Sequence, residues 1–473
     1  MLGRFRYEGR DKHCLTGVSF GNRNLEATMT AVHERPNRFS AETPWHMRGN
    51  YAPIDDEATI ASLPVKGKIP TELNGSYLRN GFNPAGRVPA HWFFGAGMVH
   101  GFDIADGKVA YRNRYVHTPY VDKDMDMMDG IVDLTLSPAN TSIIKHAGRI
   151  LALEEAHFPW EMDIELNTLG CVDFDGRLKT PMTAHPKVAQ KTGELLFFGY
   201  QFLNEPYLTY HRADANGVLV QSEVIDIPRP VMMHDFAITE NYALFFDLPI
   251  VFSMEKGGFR FQRDLGGRIG VMPHTGSNAD VRWFDVEACT VFHSINAYEQ
   301  GDEIVLQVCR ASSIMEHGMN DIGDQSTPWQ WNLNLKTGKA TETQLDDRTG
   351  DFPRVDDRLV GLPSRYGYIA GLMEGASPGF LGEIYKYDMQ TGGVETHSFG
   401  GDEANAFEPI FVPSSPDAAE DEGWIICLSH DDSSDETTLN IIEAQDFESE
   451  PVAQVVLPRR IPFGAHGSWI ASE

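Results

Sequence analysis

KVAYRNRYVH, residues 108–117, alternates polar and apolar side chains directly after the dipeptide Asp106-Gly107, and VLVQSEVIDI, residues 218–227, follows Asn216-Gly217 in the same way. A period of two places successive side chains on opposite faces of a strand, and Asp-Gly or Asn-Gly supplies the positive φ angles of a tight hairpin. Further turn signals stand at Asp175-Gly176, Thr192-Gly193, Thr337-Gly338 and Thr391-Gly392, the last three each between two strand-like runs. Amphipathic helices of about 12 residues or more are nearly absent, so the mass of the chain reads as antiparallel β. Roughly 400 residues of short strands exceed one sandwich, whereas four-stranded blades of about 45 to 60 residues accommodate them as one propeller. The expectation is an all-β, seven-bladed β-propeller forming a single domain over residues 1–473. Residues 1–55 read as a lead segment that wraps the outside or is partly ordered, and about 56–473 as the blades.

The chain has 473 residues, with 68 Asp and Glu against 39 Lys and Arg, a formal net charge of −29. Displacing counterions from a polyanion needs a basic face, for which this balance leaves little material, so no nucleic acid is expected as a partner. At 41% hydrophobic and 23% charged residues, the composition is that of a folded protein rather than a disordered or fibrous one. Five cysteines, scattered and never in a CxxC pair, fit a reducing compartment with neither a disulfide framework nor a zinc cluster. The amino terminus, MLGRFRYEGRDKHC, has no apolar h-region, and no run of about 18 apolar residues occurs. A cytoplasmic location is expected. Peripheral membrane contact stays open, because a few exposed apolar side chains suffice for it.

Of the seventeen histidines, four stand out by context: His185 in TAHPKV, His234 in MMHDFAIT, His293 in VFHSINAYE and His466 in PFGAHGSW. Each sits among apolar or small residues, where an unpaired imidazole is costly to bury. Their spacings are 49, 59 and 173 residues. The first two match one blade each and the third about three, so strands that open blades would aim all four rings at a common axis. Spacing alone leaves the plain reading open as well, that each is an ordinary core or surface histidine, because ligands so far apart leave no local signature. His91, His100, His157 and His317 read as structural. The acidic run Glu420-Asp421-Glu422 reads as a solvated loop without calcium-loop spacing.

The four histidine segments resemble the metal-ligand motifs of the carotenoid cleavage oxygenase family, which also contains lignostilbene dioxygenases. Ordered matches run along most of the chain: GNYAPI at 49–54, LNGSYLRNGFNP at 73–84, HWFFGAGMVHGF at 91–102, HPKVAQKTGEL at 185–195, HDFAITENYALFFDLP at 234–249, FHSINAYE at 292–299, FEPIFVP at 407–413 and PFGAHGSW at 462–469. The resemblance implies a helical and loop dome over an axial Fe(II) held by His185, His234, His293 and His466. Imidazoles are neutral donors that suit Fe(II), and four of them leave its full charge and two coordination positions for O2 and substrate. A metal-bound imidazole also needs an acceptor on its second nitrogen. In the family three glutamates serve; the matching positions here are Glu155, Asp351 and Glu408. Asp351 departs from the pattern, and its shorter side chain must reach its histidine through a backbone shift or a water.

The implied activity is oxidative cleavage of a conjugated C=C bond of a small apolar alkene by O2, giving two carbonyl products. The rivals are a non-oxidative isomerase at the same iron, as in the family's retinoid isomerase branch, and a catalytically dead ligand-binding propeller. Tyr77, Phe93 and Tyr120 are candidates to line the substrate tunnel, with Phe94 beside them. In the lignostilbene branch a lysine just before the first carboxylate joins a tyrosine in holding the substrate phenol. Glu154 stands at that position here, with Tyr120 as the candidate tyrosine. A phenolate would meet a carboxylate, which favours an apocarotenoid over a stilbene or phenylpropene. The oligomeric state is not encoded in any feature of the sequence.

Overall fold

The structure, a computed structural model, describes residues 36–472 apart from 87, 123–132, 322, 374–379 and 401–403. The first hairpin forms as its sequence dictates. Asp106 and Gly107 adopt left-handed φ angles of 51° and 71°, and strand Lys108–Tyr115 pairs antiparallel along all of Met98–Ala105. Leu219–Val224 pairs with Leu208–Ala213, with Gly217 at φ 80° in the turn and a bulge between Arg212 and Ala213 taking up the extra residue.

Seven antiparallel sheets of four or more strands form the blades of a propeller, and a separate two-stranded hairpin, Ile250–Ser253 with Gly258–Phe261, stands apart from them. Blade 1 opens on Gly467–Ala471, blade 2 on Ser142–His146, blade 3 on Lys187–Val188 and blade 4 on Ala237–Ile238. Blades 5 and 6 open on Thr290–Gln300 and Gly350–Arg354, and blade 7 on Ala404–Ala406 and Ile410–Pro413. These innermost strands surround an axial channel. The ring is closed twice. Gly467–Ala471, from the end of the chain, adds to Gly75–Arg79 in blade 1, and Lys66–Gly67 adds to Ala453–Val456 in blade 7.

Burial follows position in the blade. The central strand Leu195–Tyr200 (LLFFGY) is buried at every residue because another blade covers each of its faces, whereas the outer strand Leu219–Val224 is buried and exposed in near alternation. The core is therefore a series of apolar layers between blades, with Trp331, Phe197 and Phe246 among the fully enclosed side chains.

Among the described residues the only α-helical span is Pro119–Asp122, and the described cover over the axis is otherwise loops and 3-10 turns. The described part of the lead segment is exposed around Phe39 and turns inward beyond it. Its two 3-10 turns, Trp45–Met47 and Gly49–Tyr51, pack Trp45 against Trp92 and Tyr51 against Phe463, because large aromatic rings gain most from burial.

One buried ring makes fold stability depend on pH. His211 is stacked on Phe197 and holds Thr180 Oγ1 at 2.7 Å and Ser222 Oγ at 2.9 Å through its two nitrogens. Burial pushes its pKa down to about 4. The unfolded chain takes up this proton near pH 6.5 and the folded chain does not, so stability is full above about 6.5 and falls as the pH drops toward 4. Urea unfolding should show that decline, and His211→Gln should reduce it by on the order of 2–3 kcal/mol; an unchanged slope in the variant would show that this ring contributes nothing to it.

Candidate metal centre

All seven blades send one side chain each to the centre. His185 stands two residues before the inner strand of blade 3 and His234 three before that of blade 4, His293 lies within that of blade 5, and His466 directly precedes that of blade 1. Blade 2 contributes Glu155 from the turn after its second strand, Arg149–Leu153, while Asp351 and Glu408 come from the inner edges of blades 6 and 7. The four imidazoles each offer a nitrogen to one point, and these atoms lie within 4.8 Å of one another. The rings meet edge to face, with centroids 4.5 Å apart for His185 and His234 and 4.7 Å apart for His293 and His466.

Three of the rings are oriented from behind. His234 Nδ1 donates to Glu155 Oε2 at 2.5 Å, His293 Nδ1 to Asp351 Oδ1 at 2.6 Å, and His466 Nδ1 to Glu408 Oε1 at 2.8 Å. With its proton committed at Nδ1, each ring turns the lone pair of Nε2 inward. The carboxylates are themselves held: Tyr200 Oη donates to Glu155 Oε1 at 2.7 Å, Ser326 Oγ to Asp351 Oδ2 at 2.8 Å, and the Gly467 backbone N–H to Glu408 Oε2 at 2.7 Å.

Asp351 reaches its histidine directly. The strand bulges between Asp351 and Arg354, and Phe352 takes a left-handed φ of 54°, at a cost of about 1–2 kcal/mol.

Burial, with the three neighbouring imidazoles, pushes the His185 pKa well below its ordinary value. Burial likewise lowers that of His466 to about 4 despite Glu408. At His234 burial works downward, but the Glu155 carboxylate outweighs it and the pKa is raised. Burial would raise the Glu408 pKa, yet His466 and Arg354 hold it at about 2.

The residues fit a metal ion on their own geometry. His293 Nε2 is buried with no hydrogen-bond partner, and His185 Nε2 and His234 Nε2 face each other at 2.9 Å. Lone pairs converging on one enclosed point repel unless a cation sits between them, and an all-imidazole set suits a first-row divalent metal. The two sides of this point differ. A chamber of about 180 Å³ on one side is walled by Trp45, Phe82, Trp92, Phe93, Phe292 and Phe352, among others. On the other lies the axial channel, about 380 Å³, with Lys187, Asp235, Asn296 and Arg354 in its walls.

Residues 51–471 match the family described as retinal pigment epithelial membrane protein, and the carotenoid cleavage oxygenase of Mycobacterium tuberculosis is 35% identical over 491 residues, 90% of this chain and 97% of that protein. The chain belongs to the carotenoid cleavage oxygenase family. Among solved structures, the lignostilbene dioxygenase of Pseudomonas brassicacearum superposes with a TM-score of 0.82 at 28% identity, covering 90% of this chain and 98% of that one. The cobalt-substituted apocarotenoid oxygenase of Synechocystis gives 0.77 at 28% identity, covering 89% and 97%. As a family member the chain is an oxygenase.

In this family member the expected substrate contacts separate. Phe93 lines the apolar chamber. Tyr77 does not: it is fully buried in blade 1, stacked on Phe102, because its strand turns that face into the layer between blades. Tyr120 and Phe94 line a different, small cavity, where Tyr120 Oη donates to the Phe94 carbonyl at 2.6 Å. Glu154 pairs with His157 and accepts from the Ala156 N–H at 3.1 Å, which gives it an internal partner.

Among residues read as structural, His91 proves to be a wall of the chamber, with Nδ1 accepting from the Phe93 N–H at 3.2 Å. The acidic run is not simply solvated: Glu420 accepts from the backbone N–H groups of Arg365 and Tyr366 at 2.6 and 2.7 Å. Cys171, Cys289, Cys309 and Cys427 are free thiols, while Cys14 lies outside the described residues. No described helix is long and apolar enough to cross a membrane.

Tyr200, Ser326 and the wall residue Trp45 were not singled out from sequence. Phe292 and Phe352 carried a signal, since each adjoins a centre residue, His293 and Asp351. Removing Asp351 should leave His293 free to rotate. Asp351→Ala is expected to weaken divalent-metal binding by about 10- to 100-fold in chelator competition, and Ser326→Ala, which keeps the bond to His293, by less. Wild-type affinity in Asp351→Ala would show that this bond does not hold the ring.

Proposed function

We propose that the protein is an Fe(II)-dependent dioxygenase that cleaves a conjugated carbon–carbon double bond of a small apolar alkene, an apocarotenoid in preference to a hydroxystilbene, into two carbonyl products. The observation that carries this reading is the junction of a four-imidazole point with an aromatic chamber at the same place. Iron held by His185, His234, His293 and His466 would supply the activation of O2. The chain's own share is positional. Glu155, Asp351 and Glu408 keep the Nδ1 protons of three ligands in place, so the inward lone pairs stay available. Phe292 and Phe352, which pack against His234 and His293 respectively, hold an extended conjugated chain beside the centre and exclude water.

The preference for an apocarotenoid rests on what the chamber lacks for a phenol. None of its described wall residues is a lysine or arginine, Glu154 is committed to His157, and the Tyr120 hydroxyl is committed to Phe94 in another cavity. The free thiols accord with a reducing, cytoplasmic compartment.

Anaerobic loading with Fe(II), then exposure to ¹⁸O2 with an apocarotenal or a hydroxystilbene, tests the proposal. Both should be assayed for O2 consumption and for label in both products, with kcat/KM higher for the apocarotenal. Faster stilbene cleavage would reverse the substrate assignment. Geometric change without label would point to an isomerase, and no turnover by iron-loaded protein with either alkene would remove the reading.

A further inference from the structure

Three of the four imidazoles have a carboxylate of their own, but among the described residues His185 has none. Its local ladder is also minimal. The inner strand that follows it, Lys187–Val188, has two residues and pairs only with Leu196 and Leu195. Ala237–Ile238, which follows His234, is equally short. Two-residue ladders leave the approaches to these ligands with few backbone hydrogen bonds, while a metal site needs its donors held to within about 0.5 Å.

A single side chain ties these approaches together. Asp235, next to His234, is 2% exposed. Its Oδ1 meets the Lys187 ammonium at 2.8 Å and accepts from the Phe236 N–H at 2.8 Å. Its Oδ2 accepts from the backbone N–H of Ser294 at 2.8 Å and from the Ser294 hydroxyl at 2.7 Å. Lys187 is two residues beyond His185, and Ser294 directly follows His293. One carboxylate therefore joins blades 3, 4 and 5, in each case within two residues of a ligand. Between Lys187 and His185 stands Pro186, whose fixed φ makes the link stiff. A buried carboxylate is expensive to desolvate even beside a half-buried ammonium, and apolar side chains of similar volume would serve inter-blade packing at least as well.

We propose that Asp235 is a positioning residue of the metal centre: through Lys187 it anchors His185, the one ring without its own carboxylate, and through Ser294 it sets the distance from blade 4 to His293. It contacts neither the metal point nor the apolar chamber. This inference rests on the reading of the four histidines as metal ligands.

Full-length wild type, Asp235→Asn, Lys187→Met and Lys187→Arg, prepared without metal and titrated with Fe(II) and Co(II), separate positioning from plain structural support. The readouts are affinity by chelator competition, the visible Co(II) spectrum, which reports ligand geometry, and the melting temperature of the metal-free protein. Asp235→Asn is expected to lose about 10- to 100-fold in affinity and Lys187→Met about 10-fold, each with altered Co(II) bands and a metal-free melting temperature within a few degrees of wild type. Lys187→Arg, which keeps the cation, should recover most of the loss. Wild-type affinity and spectrum in both Asp235→Asn and Lys187→Met would overturn the proposal, as would lowered metal-free stability with unchanged metal binding. Should Asp235→Asn fail to fold, Lys187→Met, in which the carboxylate remains, decides the matter by the same criteria. Wild type that bound neither metal would overturn the metal reading itself, a result distinct from a difference, or its absence, among the variants.

Discussion

A buried imidazole has two nitrogens, and a metal occupies only one of them. The other carries a proton that needs an acceptor in a region where water is scarce, and this requirement organises the centre of the propeller. Four blades supply rings and the remaining three supply carboxylates, so the whole circle is spent on a single cluster. Each acceptor comes from a different blade than the ring it holds. Ring orientation is consequently a property of the closed fold rather than of any local segment.

The same requirement separates the two sides of the axis. On the channel side, charged and amide groups of Lys187, Asp235, Asn296 and Arg354 are satisfied by one another and by the blade openings. On the chamber side, aromatic rings reach inward from the lead segment, from the turn at Trp92–Phe94 and from beside the ligands. Polar groups that tune the imidazoles are thus kept behind them, and the open face is left to dispersion and stacking. The net charge of −29 belongs to a molecule whose reactive interior is dominated by neutral donors and apolar walls.

Much of this was legible in the sequence, for identifiable reasons. Asp106-Gly107 announces its hairpin because few other dipeptides tolerate two successive positive φ angles. Alternation is visible in Leu219–Val224 because it is an outer strand with one wet face, and it vanishes in Leu195–Tyr200 because both faces are covered. The four histidines and three carboxylates were found through motif positions. Motif position says where a residue lies along the chain but not which face of a strand it occupies, and Tyr77 was misplaced on that account. Trp45 sits in a segment without strand periodicity, so no pattern tied it to the chamber. Asp235 was hidden by its neighbour: beside a candidate ligand its carboxylate is unremarkable in sequence, and its partners Lys187 and Ser294 lie on other blades.

The closing strand Gly467–Ala471 directly follows His466, so one short segment both seals the ring and delivers the last of the four imidazoles. During synthesis, a chain that has already placed His293 must grow by another 173 residues before the fourth imidazole exists. Until that segment docks against Gly75–Arg79, the site is an incomplete three-histidine set in an open arc of blades. The four-imidazole cluster is in this way withheld from half-made protein: the same event that closes the propeller first brings its last nitrogen to the axis.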